Sequence, residues 1–289
     1  ALRFGCKVIG NDLQPLSLFV TKALVESVDE KEVNAEVKRL EKTVGEKIRS
    51  YYKTTCPCCG KKADGMYSFH VKKAKTDTAC KEHRFFSSFV IAYKQDEFTV
   101  VCPKCGKLGK TQFENGVYVC ECGWKLYSPK DTYVKNGIFT CPDCGETKVL
   151  SDYGLDTGYP FATDVVAIEY YCPHCKTHDY KSPDEDDEHL FRKAKKDFSM
   201  MEKVLPIPDQ LIPEGYNTNQ IRNHRYRKFR DLFNDRQLLC LGLLLQEINN
   251  VENKNVQLWL QLAFSGMLEM NNMFCSCLLY TSPSPRDRQ

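Results

Sequence analysis

TCPDCGETKVLSDYGLDTGYPFATDVVAIEYYCPHCKT, residues 140–177, carries two copies of one pattern, Cys-Pro-X-Cys. Two thiolates three positions apart on a tight turn can chelate one ion, and a glycine just after them lets the backbone turn and approach the sulfurs. The knuckle occurs four times: Cys56–Cys59 (CPCCG), Cys102–Cys105 (CPKCG), Cys141–Cys144 (CPDCG) and Cys172–Cys175 (CPHCK). A tetrahedral zinc needs two such half-sites. Two degenerate ones fill the gaps, Cys80-X-X-His83 and Cys120-X-Cys122-Gly. Taken in sequence order, the half-sites predict three structural zinc ions in three ribbons: Cys56, Cys59, Cys80, His83; then Cys102, Cys105, Cys120, Cys122; then Cys141, Cys144, Cys172, Cys175. His70 and Cys58 are the substitutes for His83 in the first set. Aligning the knuckles makes Cys58 and His174 variable positions, with His174 solvated.

The 289 residues include 16 cysteines, and twelve of them lie between Cys56 and Cys175. With 42% hydrophobic and 27% charged residues the chain is not wholly disordered. The net charge of +3 argues neither for nor against nucleic acid. The longest apolar run, Leu238–Leu245, has eight residues, whereas a bilayer span needs roughly 20, so no membrane helix is expected. No export leader precedes the first strand-like run, which makes the reducing cytoplasm the expected compartment. There, clustered cysteines are more often metal ligands than disulfides. The rival reading of Cys-X-X-Cys is a redox dithiol opening a helix in a βαβ unit, and four copies without such a unit argue against it. A zinc with four protein ligands has no open position for water, so these ions fold the chain rather than catalyse. Each supplies on the order of 10 kcal/mol or more of folding energy.

Outward from the knuckles, the pattern divides the chain. Residues 1–53 read as a helix end (Ala1–Phe4, with Gly5 as its cap), a strand (Cys6–Gly10), a helix from Pro15 and a second helix. The second helix opens on an Asp29/Glu32 capping box and carries a stripe of Val33, Val37, Leu40, Val44, Ile48 and Tyr51. Residues 54–180 form the ribbon region, and 181–217 an acidic and Pro-rich linker. Residues 218–276 hold two helices, Asn234 to about Asn250 and roughly Lys254 to Phe274, apolar on more than one face and therefore expected to be buried. The expected fold class is α+β.

Asp12 ends the first strand-like run just before a helix, where a doubly wound sheet places the carboxylate that holds a ribose; a plain turn aspartate fits the same position. Here ALRFGCKVIGNDLQPLSLFVTKAL resembles the segment after the Gly-rich cofactor loop of S-adenosylmethionine-dependent DNA methyltransferases, adenine-specific, that carry a zinc-ribbon insertion. YKTTCPCCG, AIEYYCPHC with KSPDEDD, and the late PDQLIPEG, YRKFRDLFNDRQLL and LAFSGMLEMNNMFC runs are similar to the same family in the same order, from residue 1 to about 276. The resemblance implies a remnant of a doubly wound methyltransferase sheet, a cofactor ribose on Asp12 with Asn11 and Leu13 beside it, DNA as partner, S-adenosylmethionine as cofactor of the whole enzyme, and an adenine amine as methyl acceptor. The family's Gly-rich loop and its Asn- or Asp-Pro-Pro-Tyr tetrapeptide do not occur in these residues. No catalytic residue is therefore assigned, and the chain reads as an enzyme fragment, inactive alone. The tail from Cys277, CLLYTSPSPRDRQ, resembles translated sequencing-adapter read-through and is expected to be foreign. The alternative function is a non-catalytic zinc-ribbon adaptor or nucleic-acid-binding protein. Arg222, Arg225, Arg227, Lys228, Arg230 and Arg236, interleaved with Tyr226, Phe229 and Phe233, form a candidate phosphate-binding stretch, or else a solvated basic face diluted by Asp231 and Asp235.

Overall fold

A computed structural model of the chain describes residues 5, 7–75, 82–94, 96–113, 116–152 and 162–274. The expectations for Ala1–Phe4, Cys6, Cys80 and the tail 277–289 fall outside these residues. Pro15 opens α1 (Pro15–Val25) at its first turn. Helix α2 (Glu30–Leu40) runs through a π turn at Glu41–Gly45 into α3 (Glu46–Ser50), so 30–50 is one helix with a wide turn in its middle. Its N-cap is Asp29, which accepts from the Lys31 amide. The expected capping box does not close, because the Glu32 carboxylate accepts from Asn253 instead. Of the expected stripe, Leu40, Val44 and Tyr51 are buried and Val37 is exposed.

Antiparallel sheets fill the middle of the chain. The largest contains β1 (Lys53–Thr55), β2 (Lys62–Lys75), β3 (Glu82–Arg84), β12 (Ala162–Cys172) and β13 (Thr177–Lys181), in the order β1-β2-β12-β13 with β3 on the end of β2. Strands β2 and β12 pair from Asp64↔Tyr171 to Lys73↔Ala162, with register shifts at Val165/Ala167 and Glu169/Tyr170. They form a long ribbon whose base is at the knuckles of residues 56–59 and 172–175. Beyond its far end the chain makes β4 (Val90–Lys94), β5 (Glu97–Val101) and β6 (Leu108–Thr111); the hairpin β7 (Tyr118–Val119) and β8 (Lys125–Leu126); and β9 (Val134–Lys135), β10 (Ile138–Thr140) and β11 (Thr147–Val149). Phe86, Phe89, Val100, Val101, Leu126 and Val166 make the core of this region, and Phe85 with Phe139 a smaller one beside it.

After the ribbon returns, the expected linker is largely a helix. The 17-residue α4 (Glu185–Met201) starts at a closed capping box, Asp184 with Asp187, and carries Glu185, Asp186, Asp187 and Glu188 in its first turn. An acidic run is what a helix N-terminus favours, both for its orphan amides and for its dipole. Helix α5 (Tyr216–Asn223) follows an extended stretch that buries Leu205 and Ile212. Helix α6 (Asp235–Asn249) is capped by Asn234, and α7 (Lys254–Leu268) by Asn253. Val44, Tyr51, Ala194, Phe198, Leu239 and Leu243 bring α3, α4 and α6 into one core. Leu40, Ile248, Val256 and Leu260 tie α2 to α6 and α7. Thus α6 is buried as expected, but α7 buries only Val256 and Leu260.

The first predicted strand is absent. Lys7–Gly10 has no regular structure and is exposed, with Ile9 99% accessible. No strand among the described residues pairs with it, and an apolar run without a ladder partner leaves its amides to water. Among the described residues no helix is long and apolar enough to cross a membrane.

Candidate metal centres

Each knuckle is held by the same backbone bonds. The amide of the first cysteine donates to the carbonyl five residues on (Cys56 to Lys61, Cys102 to Lys107, Cys141 to Glu146), and the following glycine amide donates back to the first cysteine's carbonyl. That glycine sits at positive φ, at 70° in Gly60, 76° in Gly106 and 74° in Gly145. In the fourth knuckle Lys176 takes this conformation, at φ 53°. Cys120-X-Cys122 achieves the turn one residue sooner, because Gly123 at φ 84° bonds the Cys120 carbonyl from three residues away.

The structure pairs the knuckles differently from sequence order. Cys56 and Cys59 meet Cys172 and Cys175, with Sγ–Sγ distances of 4.0 Å (Cys56–Cys175) and 3.7 Å (Cys59–Cys172). Cys102, Cys105, Cys120 and Cys122 form the expected second set, with 3.5 Å for both Cys102–Cys122 and Cys105–Cys120. His83 meets Cys141, not the first knuckle: Nε2 lies 3.5 Å from Cys141 Sγ and 3.6 Å from an Asp143 carboxylate oxygen. Cys144 is exposed and stands outside this group of three. The first and third sets predicted from sequence order are therefore regrouped. The cause is the β2–β12 pairing, which folds the ends of the ribbon region together and nests the other two centres inside.

The geometry fits zinc. Tetrahedral bonds of about 2.3 Å to sulfur place sulfurs about 3.8 Å apart, and a bond of about 2.0 Å to nitrogen places an imidazole nitrogen about 3.6 Å from sulfur. The twelve described cysteines are all free thiols. Burial opposes ionisation of Cys56, but the Cys59 and Cys58 amides outweigh it and bring the thiol down to about 7. The Trp124 amide does the same for Cys122, also to about 7. Burial holds Cys102 up at about 12. Each group of four cysteines thus offers a thiolate near neutral pH, while full deprotonation needs a cation.

The remaining candidates are elsewhere. Cys58 and His174 are exposed. His70 lies on β2, its ring edge-on to Phe191. Asp12 accepts from the Gln14 amide at 2.8 Å in a local turn, and Asn11 and Leu13 are exposed beside it. The ribose corner is not assembled by the described residues, and the plain turn aspartate is what the structure shows. The basic stretch is largely spent within the molecule. Arg222 holds the Ile212 carbonyl and Glu214, Lys228 holds Asp209, and Arg230 holds Glu202. Arg236 is buried, with its guanidinium between the rings of Tyr52 (4.3 Å) and Phe191 (3.9 Å), and it donates to the Tyr51 carbonyl and to Ser68 Oγ. Two features escape the sequence reading. Asp143 stands in the variable position of its knuckle. Lys181 is buried with Thr54 and Asp187, 2.8 Å from the Asp187 carboxylate, and this cluster ties the end of β13 to the start of α4. No family model, no curated protein and no solved structure matches the chain.

Proposed function

We propose that the chain is the zinc-ribbon and helical part of an S-adenosylmethionine-dependent DNA methyltransferase, acting on an adenine amine, in which three zinc ions shape a module that holds DNA. The methyltransferase assignment rests on the family resemblance. DNA contact is supported by one observation: Lys104, Lys125, Lys130 and Lys135 of the ribbon region are exposed and make no ion pair among the described residues. This moves the phosphate contacts from the basic stretch before α6 to the ribbons. Zinc acts at a distance from any chemistry, by fixing the strands that carry these lysines. The exposed Asp12 turn and the irregular Lys7–Gly10 segment favour the second reading, a non-catalytic nucleic-acid-binding or adaptor protein.

One experiment separates the two readings. Binding of unmethylated duplex DNA is measured at two salt concentrations, beside tritiated methyl transfer by the chain alone and by a longer chain that adds a Gly-rich loop and an Asn- or Asp-Pro-Pro-Tyr box. Binding that weakens steeply with salt, with transfer only by the longer chain, is the expected result. Salt-dependent binding without transfer by either leaves the adaptor reading. Salt-independent binding removes phosphate contact altogether.

A further inference from the structure

A cavity of about 530 Å³ opens between β2, the segment Phe85–Ile91 and the start of α6. That is the size of a small-molecule site. Its wall is apolar at Phe69, Phe86 and Val166 and polar at Lys72, His70 and Arg236, and none of the described residues lining it is an aspartate or a glutamate. Arg236 is only 8% exposed and has no carboxylate within ion-pair distance among the described residues. Its two terminal nitrogens are used, but Nε is buried without a partner, and so is His70 Nδ1. A buried cation is costly unless a counter-charge or π faces compensate it. The rings of Tyr52 and Phe191 supply part of that compensation. The N-terminal turn of α6 adds the positive end of a helix dipole, since Asn234 and Gln237 also line the space. Burial lowers the pKa of Lys72, as expected of a second cation facing a partly enclosed space with no anion in it.

We propose that this cavity binds a small amphipathic anion, with a single carboxylate or phosphate head against Arg236 and Lys72 and an aromatic or apolar body against Phe69 and Phe86. The site is separate from the thiolate centres and independent of the DNA reading. Arg236 also holds Tyr51 and Ser68, so its removal is expected to disturb folding; Lys72→Met and the cavity-filling Ile91→Trp serve instead. The zinc-loaded chain is titrated calorimetrically with phenyl phosphate, 3-phenylpropionate, inorganic phosphate and the neutral 3-phenylpropanol, and each variant's thermal midpoint is recorded without ligand. One of the two aromatic anions is expected to bind one to one, about tenfold or more tighter than the alcohol. Lys72→Met and Ile91→Trp are each expected to weaken it about fivefold or more without lowering the midpoint. The better anion identifies the head group. Absence of saturation by either anion up to about 10 mM, equal affinity for the alcohol, or affinity unchanged in both variants overturns the proposal.

Discussion

Replacing Cys172 by serine distinguishes the nested pairing from the sequential one. In the structure Cys172 belongs with Cys56, Cys59 and Cys175, so its loss opens the base of the β2–β12 ribbon. A metal centre that joins two distant points of the chain restricts the unfolded state much as a cross-link does. Cys59 and Cys172 are 113 residues apart. The chain-entropy relation then gives about 4.8 kcal/mol for this closure, against about 3 kcal/mol for the 15-residue separation of Cys105 and Cys120. Because the inner centres already shorten the free path, a working value is about 4 kcal/mol. Urea unfolding of zinc-loaded Cys172→Ser should show a loss of at least that size, and elemental analysis should show one zinc fewer. Alkylation of the folded protein followed by mass spectrometry gives the decisive reading. Cys56, Cys59 and Cys175 should become reactive while Cys141 keeps its protection. Labelling of Cys141 and Cys144, with Cys56 and Cys59 still protected, would refute the nested arrangement and restore sequence-order pairing.

Elemental analysis of the intact chain should find three zinc ions; two would point to failure of the His83–Cys141 centre, and one or none would remove the scheme. Asp187→Ala leaves the Lys181 ammonium buried at 7% exposure beside Thr54, so it should cost about 3–5 kcal/mol by urea unfolding, and a loss under about 1 kcal/mol would mean that water reaches Lys181. Burial, with Arg236 nearby, holds the His70 imidazole down at about 4. The unfolded chain takes up a proton near 6.5 that the folded chain refuses, so stability is full above that pH and falls by up to about 3 kcal/mol as pH drops to 4. His70→Phe should flatten this part of the profile, and identical slopes in both proteins would show that the ring titrates normally. Reversing charge at Lys104, Lys125, Lys130 and Lys135 together should lower the salt dependence of DNA binding by about one unit of slope per contact removed, and an unchanged slope would place the phosphates elsewhere.

The knuckles are readable in the sequence because their geometry is local: two cysteines, a turn, and in three of four a glycine at positive φ. Their pairing is not, since it depends on which strands form a ladder, and β2 meets β12 across the whole ribbon region. The α6 and α7 spans are equally legible, with Asn234 and Asn253 as caps. The linker reading fails at α4, where acidic composition suggests a solvated break although Asp184 and Asp187 are spaced as a capping box. The strand reading fails at Lys7–Gly10, since an apolar run needs neighbours that no local pattern reports. Arg236 falls among phosphate-binding candidates because only the tertiary fold brings Tyr52 and Phe191 to its two faces.

Nesting also orders the protein's birth. A chain emerging from the ribosome completes the Cys102–Cys122 centre first, can join His83 to Cys141 next, and closes the outermost centre last. At roughly 5–20 residues per second, the Cys56–Cys59 half-site waits roughly 6–23 s for Cys172 to be made, across the 113 residues that separate Cys59 from it. During that interval two thiols stand ready beside the exposed Cys58, open to oxidants and to the wrong metal. The first half-site translated is the last satisfied, so the time for which a reducing, zinc-supplied environment must be maintained is set by the length of the ribbon region, not by the chemistry of any one knuckle.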